Sequence, residues 1–75
     1  MSLLENTDKI HTTPMGVGRI KRNLKLNTDD VVGYCISKIK NSKISRKGKN
    51  YYVEADGCII TVNASSYTII TAHLK

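Results

Sequence analysis

The chain contains no tryptophan and no phenylalanine, a single proline, two cysteines and only six acidic residues among its 75. No apolar run is long enough to span a bilayer, and no basic start leads into an apolar leader of the secretory kind. The expectation is a cytoplasmic chain without membrane contact. A Gly-rich phosphate loop, a pair of catalytic carboxylates and a nucleophile elbow are all missing, which sets aside nucleotide-cradling folds, glycosidase chemistry and serine hydrolases. Cys35 and Cys58 fall on the apolar faces of a predicted helix and a predicted strand, so they read as reduced core thiols and no disulfide is expected. With His11 and His73 they make four ligand types, but no C-x-x-C or H-x-x-x-H spacing joins them. Neither a metal nor a cofactor is expected.

Positive charge is what the chain does have. Lysine and arginine number 12, for a net charge of +6. They are clustered: Arg19, Lys21, Arg22 and Lys25 form one group, and Lys38, Lys40, Lys43, Arg46, Lys47 and Lys49 another. No acid lies between Asp30 and Glu54. Two acid-free basic clusters on so small a protein attract polyanions, nucleic acid first. The plainer alternative is a solvated basic face kept for solubility. A chain of this length forms one domain and buries only about 60% of its unfolded surface, so a homodimer would be a natural supplement.

Three helices are predicted, over residues 3–10, 14–24 and 29–40, followed by strands over 43–46, 51–55, 58–62 and 67–73. Ser2 with Glu5 fits a capping box, and Thr13 before Pro14 is a clean helix start. Met15, Ile20 and Leu24 form the expected inner stripe of the second helix. Thr28 is the expected cap of the third, with Asp29 and Asp30 at its positive end. Asp56-Gly57 reads as a two-residue hairpin turn of type I′. Pairing outward from it sets Tyr51, Val53 and Ala55 opposite Val62, Ile60 and Cys58 on a core face, and leaves Tyr52, Glu54, Ile59 and Thr61 on the other.

The last strand has two registers. A three-residue loop turns Ile70, Ala72 and Leu74 inward; a four-residue loop turns Tyr67, Ile69, Thr71 and His73 inward. The first is preferred because burying a Tyr, a Thr and a His together demands three polar partners. On that register Tyr67, Thr71 and His73 join Tyr52 on an open, polar and aromatic face. The fold class is α+β, with N-terminal helices on one face of a four-stranded antiparallel meander.

The titratable set suits one reaction without a metal, RNA cleavage by transesterification. It needs a base for the 2′ proton, an acid for the leaving 5′ oxygen, and cations around the phosphorane. His11 and His73 fit the proton roles, and Arg19 and Arg22 the charge. The segments IHTTPMGVGRIKRNLKLNTDDVVGYC and RKGKNYYVEADGCIITVNASSYTIITAH resemble a family of small uncharacterised bacterial proteins, a domain of unknown function, over nearly the whole chain. More distantly, the layout is similar to the barnase–EndoU–colicin–RelE nuclease fold. That resemblance implies a metal-independent ribonuclease of the toxin–antitoxin type, with RNA and an antitoxin-like protein as partners. It implies His11, Arg19 or Arg22, and Thr71 as active residues, with basic residues of the first strand on phosphate. The glutamate base of barnase-type enzymes has only Glu54 to stand for it. The nucleic-acid contacts expected are Lys21, Lys43, Arg46, Lys47, Lys49, Tyr52 and Tyr67. The alternative is a non-catalytic nucleic-acid- or protein-binding module of the same fold.

Overall fold

The structure is a computed structural model that describes residues 3–75 except Asp29, Asp56 and the side chain of Leu4. The Ser2 end of the capping box, the Asp29 charge and the Asp56 half of the hairpin turn therefore lie outside the described residues. A 3₁₀-helix, Leu3–Lys9, opens the chain with a kink at Asn6. It buries Leu3, and Ile10 follows it into the core.

Helix α1, Pro14–Asn23, begins where a proline costs no hydrogen bond, and the Thr13 hydroxyl accepts from the Gly16 amide at 3.0 Å. Gly16 is needed there, because a Cβ would run into the Thr12 hydroxyl. Ile20 and Leu24 are buried, but Met15 is 78% exposed, which corrects the expected stripe. Ile20 follows Met15 by five positions, and at ~100° per residue they point about 140° apart. Lys25, at φ 55°, turns the chain away from the helix end.

Helix α2, Val31–Ile39, is capped by Asp30 and not by Thr28. The Asp30 carboxylate accepts from the Gly33 amide at 3.1 Å, while the Thr28 hydroxyl accepts from the Asp30 amide. Gly33, a weak helix former, has a reason to be there: a Cβ would collide with that carboxylate. Val31, Cys35 and Ile39 repeat at helical spacing and are buried completely.

Strands β1 (Lys43–Lys47), β2 (Asn50–Ala55), β3 (Cys58–Asn63) and β4 (Ile69–Leu74) form one antiparallel sheet in the order β1-β2-β3-β4. The fold is thus α+β, with the helices preceding the sheet. Tyr51 pairs with Val62, Val53 with Ile60 and Ala55 with Cys58. These six share the core with Ile20, Val31, Cys35 and Ile39. Strict alternation puts Tyr52 and Glu54 on the opposite, uncovered face. The helices lie against the core side, α1 chiefly on β4.

The last strand follows neither expected register alone. Thr61 pairs with Thr71 but Val62 pairs with Ile69, so Ile70 is an extra residue in a bulge. The bulge switches parity: Ala72 is buried from one register and Ile69 from the other. Ile70, expected inside, is 44% exposed. Leu74 keeps its place across from Cys58, yet it is exposed at the sheet's end.

Candidate nucleic-acid interface

The uncovered face is built in rows across the strands. Lys43, Glu54, Ile59 and His73 form one row, and Ser45, Tyr52, Thr61 and Thr71 the next. Lys47 stands beside Asn50 at the hairpin end. Tyr52 is 37% exposed, and Thr61, flanked by Tyr52 and Thr71, is the buried member of its row. A shallow hollow of about 260 Å³ is lined by Ser45, Lys47, Tyr52, Glu54 and Ile59. It sets an aromatic ring next to a lysine that has no carboxylate partner among the described residues. Glu54, which also lines the hollow, is paired by the Lys75 ammonium at 3.3 Å. The local charge on the Lys43–Lys47 side therefore stays positive.

A second construction sits at the hairpin end of the sheet, where β4 begins. His11 is held to the start of β4 by its backbone: its amide donates to the Tyr67 carbonyl at 3.1 Å, and the Ile69 amide donates to the His11 carbonyl at 2.7 Å. Its ring is held as well. Nδ1 lies 2.9 Å from the Lys9 carbonyl, an acceptor only, so Nδ1 carries a proton. In the neutral ring Nε2 is then the acceptor, and the Thr68 hydroxyl donates to it at 3.0 Å. The Ser66 hydroxyl stands 2.9 Å from Thr68 Oγ1 and 3.2 Å from Asn63 Oδ1. This hydroxyl chain leads to a cleft of about 520 Å³ lined by Arg46, Lys49, Asn63, Ala64, Ser65 and Ser66.

The residues singled out for catalysis are not gathered in one place. His11 meets Thr68 at the head of β4, whereas His73 lies five residues further on, about 16 Å along an extended strand. Thr71 and His73 belong to the uncovered face. Arg19 and Arg22 are exposed on α1, on the far side of the sheet. Lys21 is half-buried on the same helix. Among the described residues no three His, Cys, Asp or Glu side chains cluster. No helix among them is long and apolar enough to cross a membrane.

The basic residues of the hairpin divide. Lys43 and Lys47 go with the uncovered face; Arg46, paired with Tyr51, lies over that ring at 5.4 Å and turns with Lys49 to the cleft. Tyr67 corrects an expectation. It precedes β4, its φ is 59°, and its ring packs against the core with the Lys9 ammonium 5.8 Å away. It cannot be a second stacking ring beside Tyr52. Ser66, Thr68 and Asn63 were not foreseen as site residues. The signal available was the Asn-x-Ser-Ser spacing, in which an Asn side chain accepts from amides two and three residues on.

A scan against protein families matches residues 4–73 to a family described as Protein of unknown function (DUF3781). The chain belongs to that family. Comparison with curated proteins gave no match. Comparison with solved structures gave none either. The family supplies no chemistry, so function rests on the surface just described.

Proposed function

We propose that this DUF3781 chain is a non-catalytic module that binds single-stranded nucleic acid, RNA first, across the uncovered face of its sheet. The observation that carries this is the hollow that Tyr52 and Lys47 line together with Ser45, Ile59 and Glu54, the last held by Lys75. A tyrosine ring gives any base a stacking surface, and the adjoining ammonium meets the phosphate next to it. The net charge of +6 adds long-range attraction for a polyanion. The ribonuclease reading is the second choice, because a general acid and base need to share one phosphate with their cations. His11, Thr71, His73, Arg19 and Arg22 are spread over both sides of the sheet.

Fluorescence anisotropy with a labelled single-stranded RNA tests the reading. Tyr52→Ala should weaken binding by about 5- to 150-fold and leave the salt dependence unchanged. Lys47→Gln should flatten the salt dependence by about 0.7 in slope. Arg19→Gln with Arg22→Gln should leave affinity within about twofold, since surface arginines off the binding face add only screened attraction. Salt-insensitive or absent binding by the unaltered chain would end the proposal. RNA cleavage that disappears in His11→Ala would restore the ribonuclease.

A further inference from the structure

We propose that the cleft between the β1–β2 hairpin and the Asn63–Thr68 turn is a subsite for a phosphate group of the bound strand. This rests on the strand-binding reading and assigns a second contact at the hairpin end of the sheet, on the side away from Tyr52. The shared chemistry is a phosphate dianion or diester; the end of a strand and its interior both carry one.

The lining of the cleft is the first argument. It holds two cations, Arg46 and Lys49, two hydroxyls and one carboxamide, and no carboxylate among the described residues. Among the described residues neither cation has an acidic partner. At about 520 Å³ the space holds a phosphate with its attached sugar.

The second argument is that the charged group is held ready. Arg46 Nε donates to the Gly48 carbonyl at 3.0 Å, and its guanidinium lies over the Tyr51 ring. Both contacts restrain the side chain, and among the described residues no hydrogen bond takes up its two terminal amino groups. Those are the groups that grip phosphate in a forked pair of bonds.

The opposing wall is equally constrained. Asn63 Oδ1 accepts from the Ser65 and Ser66 amides, each at 2.9 Å. The Ala64 amide donates to the Lys49 carbonyl at 2.8 Å, which ties the turn to the hairpin that bears the cations. With its oxygen occupied, the Asn63 side chain offers its amino group to a ligand. The Ser66 hydroxyl spends its proton within the turn, on Thr68 Oγ1 or Asn63 Oδ1, so the Ser65 hydroxyl is the one open to a ligand. Cations, amide and hydroxyl thus face one volume, and restraint of each side lowers the ordering cost of binding.

Nitrogen-15 correlated NMR on the whole chain tests this with three probes. The first is sodium phosphate against sodium chloride at matched ionic strength. The others are a short uridine oligonucleotide with a 5′-phosphate and the same oligonucleotide with a 5′-hydroxyl. Phosphate should shift the Ser65 and Ser66 amides and Arg46 Nε–H, and leave Tyr52 and Glu54 in place. Arg46→Gln with Lys49→Gln should weaken that response at least about tenfold. Lys49→Gln alone, on an exposed side chain, should give a smaller loss without any effect on folding. A several-fold preference for the 5′-phosphorylated strand, lost in the double variant, identifies a terminal phosphate. Equal binding of both strands, equally weakened, identifies an internal one. The proposal is overturned if the strands shift the Tyr52 face while no probe moves Ser65, Ser66 or Arg46. If phosphate moves the cleft but no strand moves Tyr52, Glu54 or Ile59, the strand-binding reading fails and the phosphate site stands by itself.

Discussion

Cys35 makes the stability of this fold depend on alkaline pH in a way that can be worked out in advance. The residue has no exposed surface, and its thiol is pushed up from 9.0 to about 12, by burial first and by the neighbouring Cys58 second. The unfolded chain gives up this proton near pH 9, whereas the folded chain keeps it until about 12. Across that window the unfolded state holds one proton fewer, so unfolding free energy falls by about 1.4 kcal/mol for each pH unit. The contribution is complete below pH 9 and is lost as pH climbs toward 12, with a ceiling of about 4 kcal/mol. By pH 10.5 the loss is about 2 kcal/mol, a large part of what a domain this small possesses. Urea unfolding at steps from pH 8 to 10.5 measures it, with Cys35→Ala as the reference. The variant should start less stable, because it leaves a cavity, and should then lose stability more slowly with pH. All other side chains are common to the two proteins, so the difference isolates position 35. Parallel curves for the two proteins would refute the argument. So would a thiol reagent that labels Cys35 as fast in the folded chain as in urea.

Gly18 stands in mid-helix with open space where a Cβ would go, so Gly18→Ala should stabilise by about 0.5–1 kcal/mol. Gly16→Ala should destabilise instead, since its Cβ meets the Thr12 hydroxyl, which donates to the Ile69 carbonyl at 3.2 Å; thermal melts compare the pair directly. The bulge in β4 sets up a parity test. Ile70→Lys should change stability by no more than about 0.5 kcal/mol, while Ile69→Lys should abolish folding at ordinary temperature. Equal effects at the two positions in urea titrations would contradict the register. Ile60→Ala, at the centre of the core, should cost about 2–5 kcal/mol in the same assay.

The α+β layout was legible because each element carried its own period. Val31, Cys35 and Ile39 repeat at helical spacing, and Tyr51, Val53 and Ala55 alternate with polar residues. Where two physical rules competed, sequence alone could not decide. Thr28 and Asp30 are both good caps, and the choice fell to the one whose carboxylate could close over a glycine. The two registers of β4 were each half right, because a bulge depends on how a strand meets its neighbours and leaves no mark in its own pattern. The candidate site shows the same division. The basic run from Lys43 to Lys49 is plain in the sequence, but its split between two sides of the sheet follows from pairing. Tyr67 looked like a strand residue and proved to hold a left-handed turn. The chain from His11 to Ser66 joins residues 55 positions apart through side chains that, read singly, are ordinary loop residues.

The sheet has two free margins, and they are protected by different means. At β4 the margin is broken by the extra residue Ile70 and occupied at its head by His11, which bridges to Thr68. At β1 nothing lies alongside in the strand order, and the strand is short, with four of its five residues exposed and three of them basic. Unpaired strand margins invite another chain to add itself, and closely spaced positive charge is one of the ways proteins prevent it. Lys43, Arg46 and Lys47 thus repel a second copy of the same margin at the place where they would attract a phosphate backbone. Two copies would come together along β1 only if something negative lay between them. A polyanion long enough to neutralise both margins would convert a barrier to self-association into a bridge, and clustering of these molecules would then rise and fall with the length of the strand they hold.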